Sequence, residues 1–357
     1  MVEAAFNTIH PEFKLNGTHL NLKSLKETAF SLIESHEEYE KQIGGFLQEW
    51  LDDNAFITLK TSGSTGQPKT LSMPKQAMVN SALATGQFFN LQPGHTALLC
   101  LPAHYIAGKM MLVRAMVLGL HIDVINPKVH LNLPLGKTYH FCAMIPIQVE
   151  KNLEQLSSIK TLIVGGAAVS KTLEDNIKGL KTKVFATYGM TETVSHIALK
   201  PLNHTSHPLL YKVLPGITID QDHRGCLIVE APKLTPEKLI TNDLVTIYTP
   251  KTFEWLGRFD HVINSGGVKL LPEQIEHKLQ KHIMQRFFIA GLPDAYLGEK
   301  VVLIIEGPAQ KIPKHFFDGL DKFEVPKAVY FIETFLETAS GKIQRDATLK
   351  LLKKPLN

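Results

Sequence analysis

The sequence predicts an α/β protein with a large layered N-terminal domain of mostly parallel sheets and a small α+β C-terminal domain. Three observations carry this. Between residues 55 and about 190, short β-rich runs alternate with amphipathic helical stretches, the strand–helix–strand order that builds parallel layers. From about residue 210 the helices give way to short strands and turns. After Arg258 a new strand-and-helix set begins, which places a boundary between residues 1–257 and 258–357 with a hinge near Asp260. The 357 residues are enough to bury a substantial core.

Each element has its own signal. Residues 1–54 read as a helical lead-in, with helix-period apolars through LKSLKETAFSLIESHEEYEKQIGGFLQEWLDD ending in an acidic turn. AFITLK (55–60) reads as a strand and KQAMVNSALATGQFF (75–89) as a helix. TALLCLP and HIDVI flank a helix over 107–119. HFCAMIP, TLIVGG and KVFATYG continue as strands, with IQVEKNLEQL and SKTLEDNIKGL as helices between them. PEQIEHKLQK opens the C-terminal unit as a helix with proline in its first turn; FFIAG, KVVLIIEG and AVYFIE follow as strands.

Composition excludes several classes. A 44% hydrophobic, 20% charged chain with mean hydropathy −0.01 is that of an ordinary globular protein. The formal charge is +4, and the lysines are scattered, which argues against nucleic acid as a partner. The N-terminus lacks the basic-then-apolar order of a signal peptide. Met110–Leu120 is the most apolar helical stretch; it is too short to span a bilayer and carries Arg114, so no membrane insertion is expected. Three widely spaced cysteines suit buried thiols in a reducing compartment, and the cytoplasm is the expected location. Oligomeric state stays open, with a homodimer as one option.

The chemistry starts at TSGSTGQPKT (61–70). It is not a Walker loop, because Pro68 rather than glycine precedes Lys69. Two glycines among small hydroxyl residues after a strand nonetheless permit a turn whose N–H groups converge on an anion. Thr61, Ser62, Gly63, Ser64, Thr65 and Gly66 supply that turn, and Lys69 a cation. In TYGMTET, Thr191 and Glu192 follow a strand that ends at Tyr188 and Gly189. A single carboxylate there can hold Mg²⁺, which binds protein through one or two carboxylates and leaves phosphates to complete its shell. Asp243 in TND follows a strand-like run, GRFDHVINSGG joins Arg258, Asp260, Gly266 and Gly267, and TASGKIQR puts Lys342 in a small-residue loop.

In this order the motifs resemble the acyl-adenylate-forming enzymes: acyl- and aryl-CoA ligases, luciferases and peptide-synthetase adenylation domains. Thr61 to Lys69 matches that family's phosphate loop and Tyr188 to Glu192 its Y-G-x-T-E motif. Gly257 to Asp260 matches its hinge, and SGKIQR its late catalytic lysine. Gly165, Gly166 and Ala167 are similar to its adenine-packing loop. Asn242 stands where the family has glycine before the ribose aspartate. The resemblance covers about residues 55–350 and implies that ATP, Mg²⁺ and coenzyme A act on a small carboxylic acid. By the same resemblance Lys342, Thr191 and Glu192 are catalytic, with Glu192 holding the metal; Asp243 takes the ribose, Arg258 lies nearby on ribose or phosphate, Asp260 is the pivot, and Gly266 and Gly267 line the pantetheine path.

YGMTETVSHIAL and LPAHYIAGKMMLVRA resemble more closely the o-succinylbenzoate–CoA ligase subfamily of menaquinone biosynthesis, although the register puts Tyr105 rather than His104 at that subfamily's histidine. His104, Tyr105, Lys109, Arg114 and Ser195 are the candidates for the acid pocket. Sixty residues precede the phosphate loop where the family has well over a hundred, which implies a shortened N-terminal region. A CoA ligase for another aryl or fatty acid, an adenylation protein loading a carrier protein, and a catalytically idle nucleotide-binding homologue are the alternatives at this stage.

Overall fold

The computed structural model describes residues 5–60, 70–204, 210–338 and 343–352. The N-terminal segment begins with a hairpin, β1 (Lys14–Leu15) and β2 (Thr18–His19). Asn16 and Gly17 form its turn, both at positive φ, the arrangement that two-residue hairpins favour. The helical lead-in consists of two helices, α1 (Leu22–Ile33) and α2 (Glu38–Leu51). Asn21 caps α1 through a reciprocal pair of bonds with Ser24. Ser35 accepts from the Glu37 amide and donates to Glu40, which restarts the chain as α2. The two helices meet closely: a Cβ on Gly44 would lie 2.7 Å from the Ala29 carbonyl oxygen.

A two-stranded hairpin follows, β3 (Phe56–Lys60) with β4 (Thr70–Pro74). Its register runs from Phe56↔Pro74 to Lys60↔Thr70. Then come α3 (Lys75–Phe89), β5 (Thr96–Leu99), α4 (Ile106–Leu118), β6 (His121–Val124) and β7 (Tyr139–Met144). Helix α5 (Pro146–Lys151) runs into a 3-10 turn over Leu153–Ser158 before β8 (Ile159–Val164), α6 (Lys171–Ile177) and β9 (Lys183–Gly189).

The expected parallel layer is the run β1–β6–β5–β7–β8–β9. From β10 (His196–Pro201) onward the same sheet is antiparallel. It continues through β11 (Tyr211–Val213), β12 (Thr218–Gln221), β13 (Cys226–Glu230), β14 (Leu239–Thr249) and β15 (Thr252–Arg258). The order across this part is β9–β10–β11–β15–β14–β13–β12. The short turns after residue 210 leave no room for crossover helices, so these strands pair antiparallel.

A second sheet holds β16 (Ile263–Ser265), β17 (Val268–Leu270), β18 (Phe287–Asp294), β19 (Gly298–Glu306) and β20 (Ala328–Ile332). Helix α7 (Pro272–Leu279) packs on it, and α8 (Arg345–Leu349) follows. This sheet has its own apolar core around Ile275, Leu279, Ile289 and Leu303, separate from the cluster that joins α1–α4 to the large sheet.

Helix α4 lies at the heart of the larger core. Nine of its residues are buried, Lys109 and Arg114 among them. An all-round apolar helix belongs in an interior, so two cations inside it require an explanation. All three cysteines are buried thiols, and no helix among the described residues is long and apolar enough to cross a membrane.

Candidate active site

Ligands of open α/β sheets bind beyond the carboxyl ends of the parallel strands, and Gly165–Ala167 and Thr191–Glu192 leave β8 and β9 at those ends. Gly165, Gly166 and Ala167 form the loop that leaves β8. A Cβ on Gly165 would lie 2.3 Å from Thr187 Oγ1 on the adjacent β9, so the loop runs tight against that strand. Beyond Gly189 the chain makes a 3-10 turn over Thr191–Thr193, in which Thr193 is buried and Glu192 exposed.

That turn is over-determined. Thr193 Oγ1 accepts from the Met190 amide at 3.1 Å and lies 2.9 Å from the carbonyls of Met190 and Ser195. Val194 is held at φ 68°, a strained conformation for a β-branched residue that persists only where its surroundings impose it. Gly189 sits inside the turn: a Cβ there would come within 2.4 Å of the Ser195 carbonyl oxygen. The strained corner presents Thr191 and Glu192 on one side and directs Ser195 inward on the other.

Asp243 is buried, and its carboxylate is held at both oxygens. Tyr188 Oη donates to Oδ2 at 2.6 Å, and Trp255 Nε1 donates to Oδ1 at 3.2 Å. Arg258, its antiparallel partner in the β14–β15 register, stands 3.6 Å away. Tyr188 and Asp243 lie four strands apart along the sheet order, about 19 Å if the sheet were flat. The 2.6 Å bond therefore records a sheet that curls back on itself. Tyr188, Tyr211 and Phe253 fill the curl, with ring centroids 5.3–5.7 Å apart. Burial and the Asp243 charge raise the Tyr188 phenol well above its ordinary value, so it remains a donor. A carboxylate offers about four acceptor sites; with two taken by Tyr188 and Trp255, two are left, the number a vicinal diol needs.

The hinge motif is braced as well. Arg258 makes two bonds to Asp260, at 3.0 and 2.9 Å, and these hold the Asp260 carboxyl below its ordinary range. The Glu273 carboxylate lies over Gly257, where a Cβ would sit 2.5 Å from its Oε2. Glu273 also pairs with His261 at 2.6 Å and Arg345 at 3.7 Å. Burial pushes Glu273 up, but His261 and Arg345 outweigh it and hold it below the usual value. Arg345 pairs with Glu276 at 2.9 Å; there burial dominates and raises the carboxyl to about 7.

The acid-pocket candidates separate in space. Lys109 is taken up internally, 3.7 Å from Glu49 and over the ring of Phe46. His104 is bonded to Gln42 in a cleft of about 230 Å³ that Glu37 and Glu38 also line, an acidic setting unsuited to a carboxylate. Tyr105 packs against His104 with the rings tilted at 47° and is 42% exposed. None of these three meets Arg114. Arg114 is 2% exposed and its Nη2 donates to Ser195 Oγ at 2.9 Å. It has no carboxylate partner among the described residues, and its Nε has no hydrogen bond. Burial alone lowers its guanidinium to about 9, which leaves it charged at neutral pH.

Gly266 and Gly267 form the β16–β17 turn at φ 59° and 82°. A Cβ on Gly267 would meet nothing within 4 Å, and one on Gly266 only Leu297 Cδ2 at 3.3 Å. Thr61, Ser62, Gly63, Ser64, Thr65, Gly66, Lys69 and Lys342 lie outside the described residues. Trp255, His196 and Arg224 escaped sequence reasoning. Arg224 bonds the Asn242 side chain and the Thr241 carbonyl, and stacks on Phe259. Trp255 could have been found from strand alternation with Phe253 and Gly257; Arg224 and His196 have no such signal.

The family model for AMP-binding enzymes matches residues 16–221. The chain belongs to the AMP-binding enzyme family. A crystal structure of an acyl-CoA synthetase (AMP-forming)/AMP-acid ligase II-like protein from Dyadobacter fermentans is 37% identical, with a TM-score of 0.62, over 91% of this chain and 97% of that one. The probable 2-succinylbenzoate–CoA ligase of Mycobacterium tuberculosis H37Rv is 25% identical, over 90% of this chain and 91% of its own length. The o-succinylbenzoate CoA synthetase of Bacillus subtilis, in complex with its acyl-adenylate intermediate, shares the fold. Its TM-score is 0.70 at 20% identity, over 84% of this chain and 70% of that one. This AMP-binding enzyme thus has the α/β architecture of the adenylate-forming fold, and it is an AMP-forming acid–CoA ligase.

Proposed function

We propose that this ligase acts on o-succinylbenzoate, using ATP and then coenzyme A. Arg114 carries the substrate assignment. A buried cation without an internal counter-charge is expensive, and a second carboxylate on the acid would supply the missing charge. The 2-succinylbenzoate ligases among its relatives support the same acid.

A carboxylate does not react with a thiol because oxide is a poor leaving group. In the first step the acid's carboxylate oxygen bonds to the α-phosphorus while the α–β bridging bond breaks and pyrophosphate departs. In the second, the thiolate sulfur bonds to the carbonyl carbon and AMP leaves with the bond electrons. Asp243 takes the ribose hydroxyls with its two remaining acceptor sites, and Tyr188 and Trp255 keep it oriented. Thr191 donates to the α-phosphate. Glu192 suits Mg²⁺, being an exposed carboxylate where no group of three or more metal-ligating side chains forms among the described residues; the ion would supply charge neutralisation on the phosphates. Thr61 to Gly66 and Lys69 hold the pyrophosphate side. Lys342 bridges the acid carboxylate and the α-phosphate, and the unit 258–357 turns about Asp260 between the two steps so that the thiol enters past Gly266 and Gly267.

The test is ATP–pyrophosphate exchange with o-succinylbenzoate, benzoate and a fatty acid, followed by detection of the CoA ester. Exchange with the other acids but not with o-succinylbenzoate refutes the substrate. Arg114→Met should raise KM for o-succinylbenzoate about 10- to 150-fold, the value of about 1.5–3 kcal/mol for a charged hydrogen bond. It should melt no lower than the wild type, because an apolar chain of similar size removes a buried unpaired charge. A large drop in melting temperature would instead make Arg114 a structural residue. Lys342→Ala should lose adenylation but keep thioester formation from supplied acyl-AMP; equal loss of both contradicts the two-conformation mechanism.

A further inference from the structure

Arg114 ends a chain of hydrogen bonds whose direction can be read off link by link. At its far end Thr85 Oγ1, in helix α3, is 2.9 Å from the Ser81 carbonyl oxygen one turn earlier. A carbonyl only accepts, so the Thr85 hydroxyl proton is committed to it. His196 Nε2 lies 3.4 Å from Thr85 Oγ1 and must therefore donate to that oxygen. The His196 ring is buried, and burial, with Arg114 close by, keeps it neutral. A neutral ring carries one proton, so Nδ1 is a bare acceptor. Ser195 Oγ lies 3.4 Å from Nδ1 and is the group that donates to it. Arg114 Nη2 is a donor only, so Ser195 accepts from it, at 2.9 Å, with a lone pair that its own donation leaves free.

We infer that His196, as its Nε2–H tautomer, is a positioning residue that takes the Ser195 hydroxyl proton, fixes that hydroxyl's orientation and so aims Arg114 at the acid's second anionic group. The relay fixes the guanidinium through Nη2 and leaves Nε, which has no partner among the described residues, for the incoming anion. It also revises the role assigned to Ser195 from sequence. Ser195 has no proton left to donate to the acid, and it acts on the acid through Arg114. The strained Val194, between Glu192 and Ser195, sets the corner that brings Ser195 and His196 to α3 and α4. This inference rests on the reading of the acid as o-succinylbenzoate, whereas the direction of the relay does not.

Two variants test it. Leucine at 196 removes both ring nitrogens, whereas a glutamine amide can donate to Thr85 and accept from Ser195. His196→Leu should raise KM for o-succinylbenzoate about tenfold relative to KM for benzoate, one lost hydrogen bond. His196→Gln should stay within about twofold of the wild type on the same scale. Equal shifts for the two acids, or glutamine as damaging as leucine, overturns the positioning role. Nitrogen-15 NMR of histidine-labelled protein reads the tautomer without any activity, and an Nδ1–H form of His196 overturns the relay. The Arg114 Nε–H signal should exchange faster with solvent in His196→Leu and not in His196→Gln; no difference also overturns it. If the wild type activates neither acid, the substrate reading fails, and the two NMR measurements still decide the relay.

Discussion

Tyr188→Phe isolates one bond. The substitution keeps the ring that packs on Tyr211 and Phe253 and removes only the hydroxyl that donates to Asp243 at 2.6 Å. Asp243 is 9% exposed, so water cannot replace the donor freely. A hydrogen bond to a charged, buried acceptor contributes about 1.5–3 kcal/mol. At about 2.1 cal/mol/K of unfolding entropy per residue, a unit of about 250 residues then melts about 3–6 °C lower. Binding of ATP should suffer less than stability, because the bond is lost from both free and bound enzyme. What remains is the cost of re-orienting a carboxylate held only by Trp255 and Arg258, about 1 kcal/mol, or about a fivefold rise in KM for ATP. Thermal melting followed by near-ultraviolet circular dichroism, with pyrophosphate exchange at varied ATP, measures both. An unchanged melting temperature with unchanged KM would refute the claim that Tyr188 holds Asp243. Loss of activity with neither shift would place Tyr188 in the chemistry instead.

Gly189→Ala should cost at least about 1–3 kcal/mol in urea unfolding. Its Cβ meets backbone, the Ser195 carbonyl at 2.4 Å and the His196 Cα at 2.6 Å, and no side-chain rotation relieves that. Gly257→Ala should destabilise through Glu273 and through its φ of +149°, and the cost should fall by at least about 0.5 kcal/mol in a Glu273→Ala background; additive costs would show that the carboxylate does not press on Gly257. Glu276 gives a pH prediction. Burial raises its carboxyl from 4.5 to about 7, so the folded state binds the extra proton between those values. The contribution to stability is fully present below pH 4.5 and is lost as pH rises through 7, in total about 3 kcal/mol. Denaturant unfolding at pH 5 and pH 8 should show this loss in the wild type and not in Glu276→Gln; parallel curves would refute it.

Most of the elements were legible because their signals are local. Periodicity located α3, α4 and β9 to within a residue, and proline at the first turn marked α7. The break between α1 and α2 was hidden because its cause is a side-chain bond from Ser35, not a change of pattern. The β1–β2 turn was signalled by Asn16-Gly17, but strands of two residues have no periodicity to read.

At the site, sequence alone determined the kind of residue available in each motif: Tyr188, Thr191, Glu192, Asp243, Arg258. Their types and spacing follow from local chain geometry, so motif order carries them. Only the tertiary structure decided which cation was left without a counter-charge. Lys109 and Arg114 sit five positions apart on one buried helix, and nothing in their spacing tells them apart. Glu49, from α2, lies beside one and neutralises it, while Ser195, just before β10, meets the other and leaves its charge uncompensated. Whether a buried charge is satisfied depends on what the rest of the chain brings within a few ångströms, and that is settled only when distant segments pack.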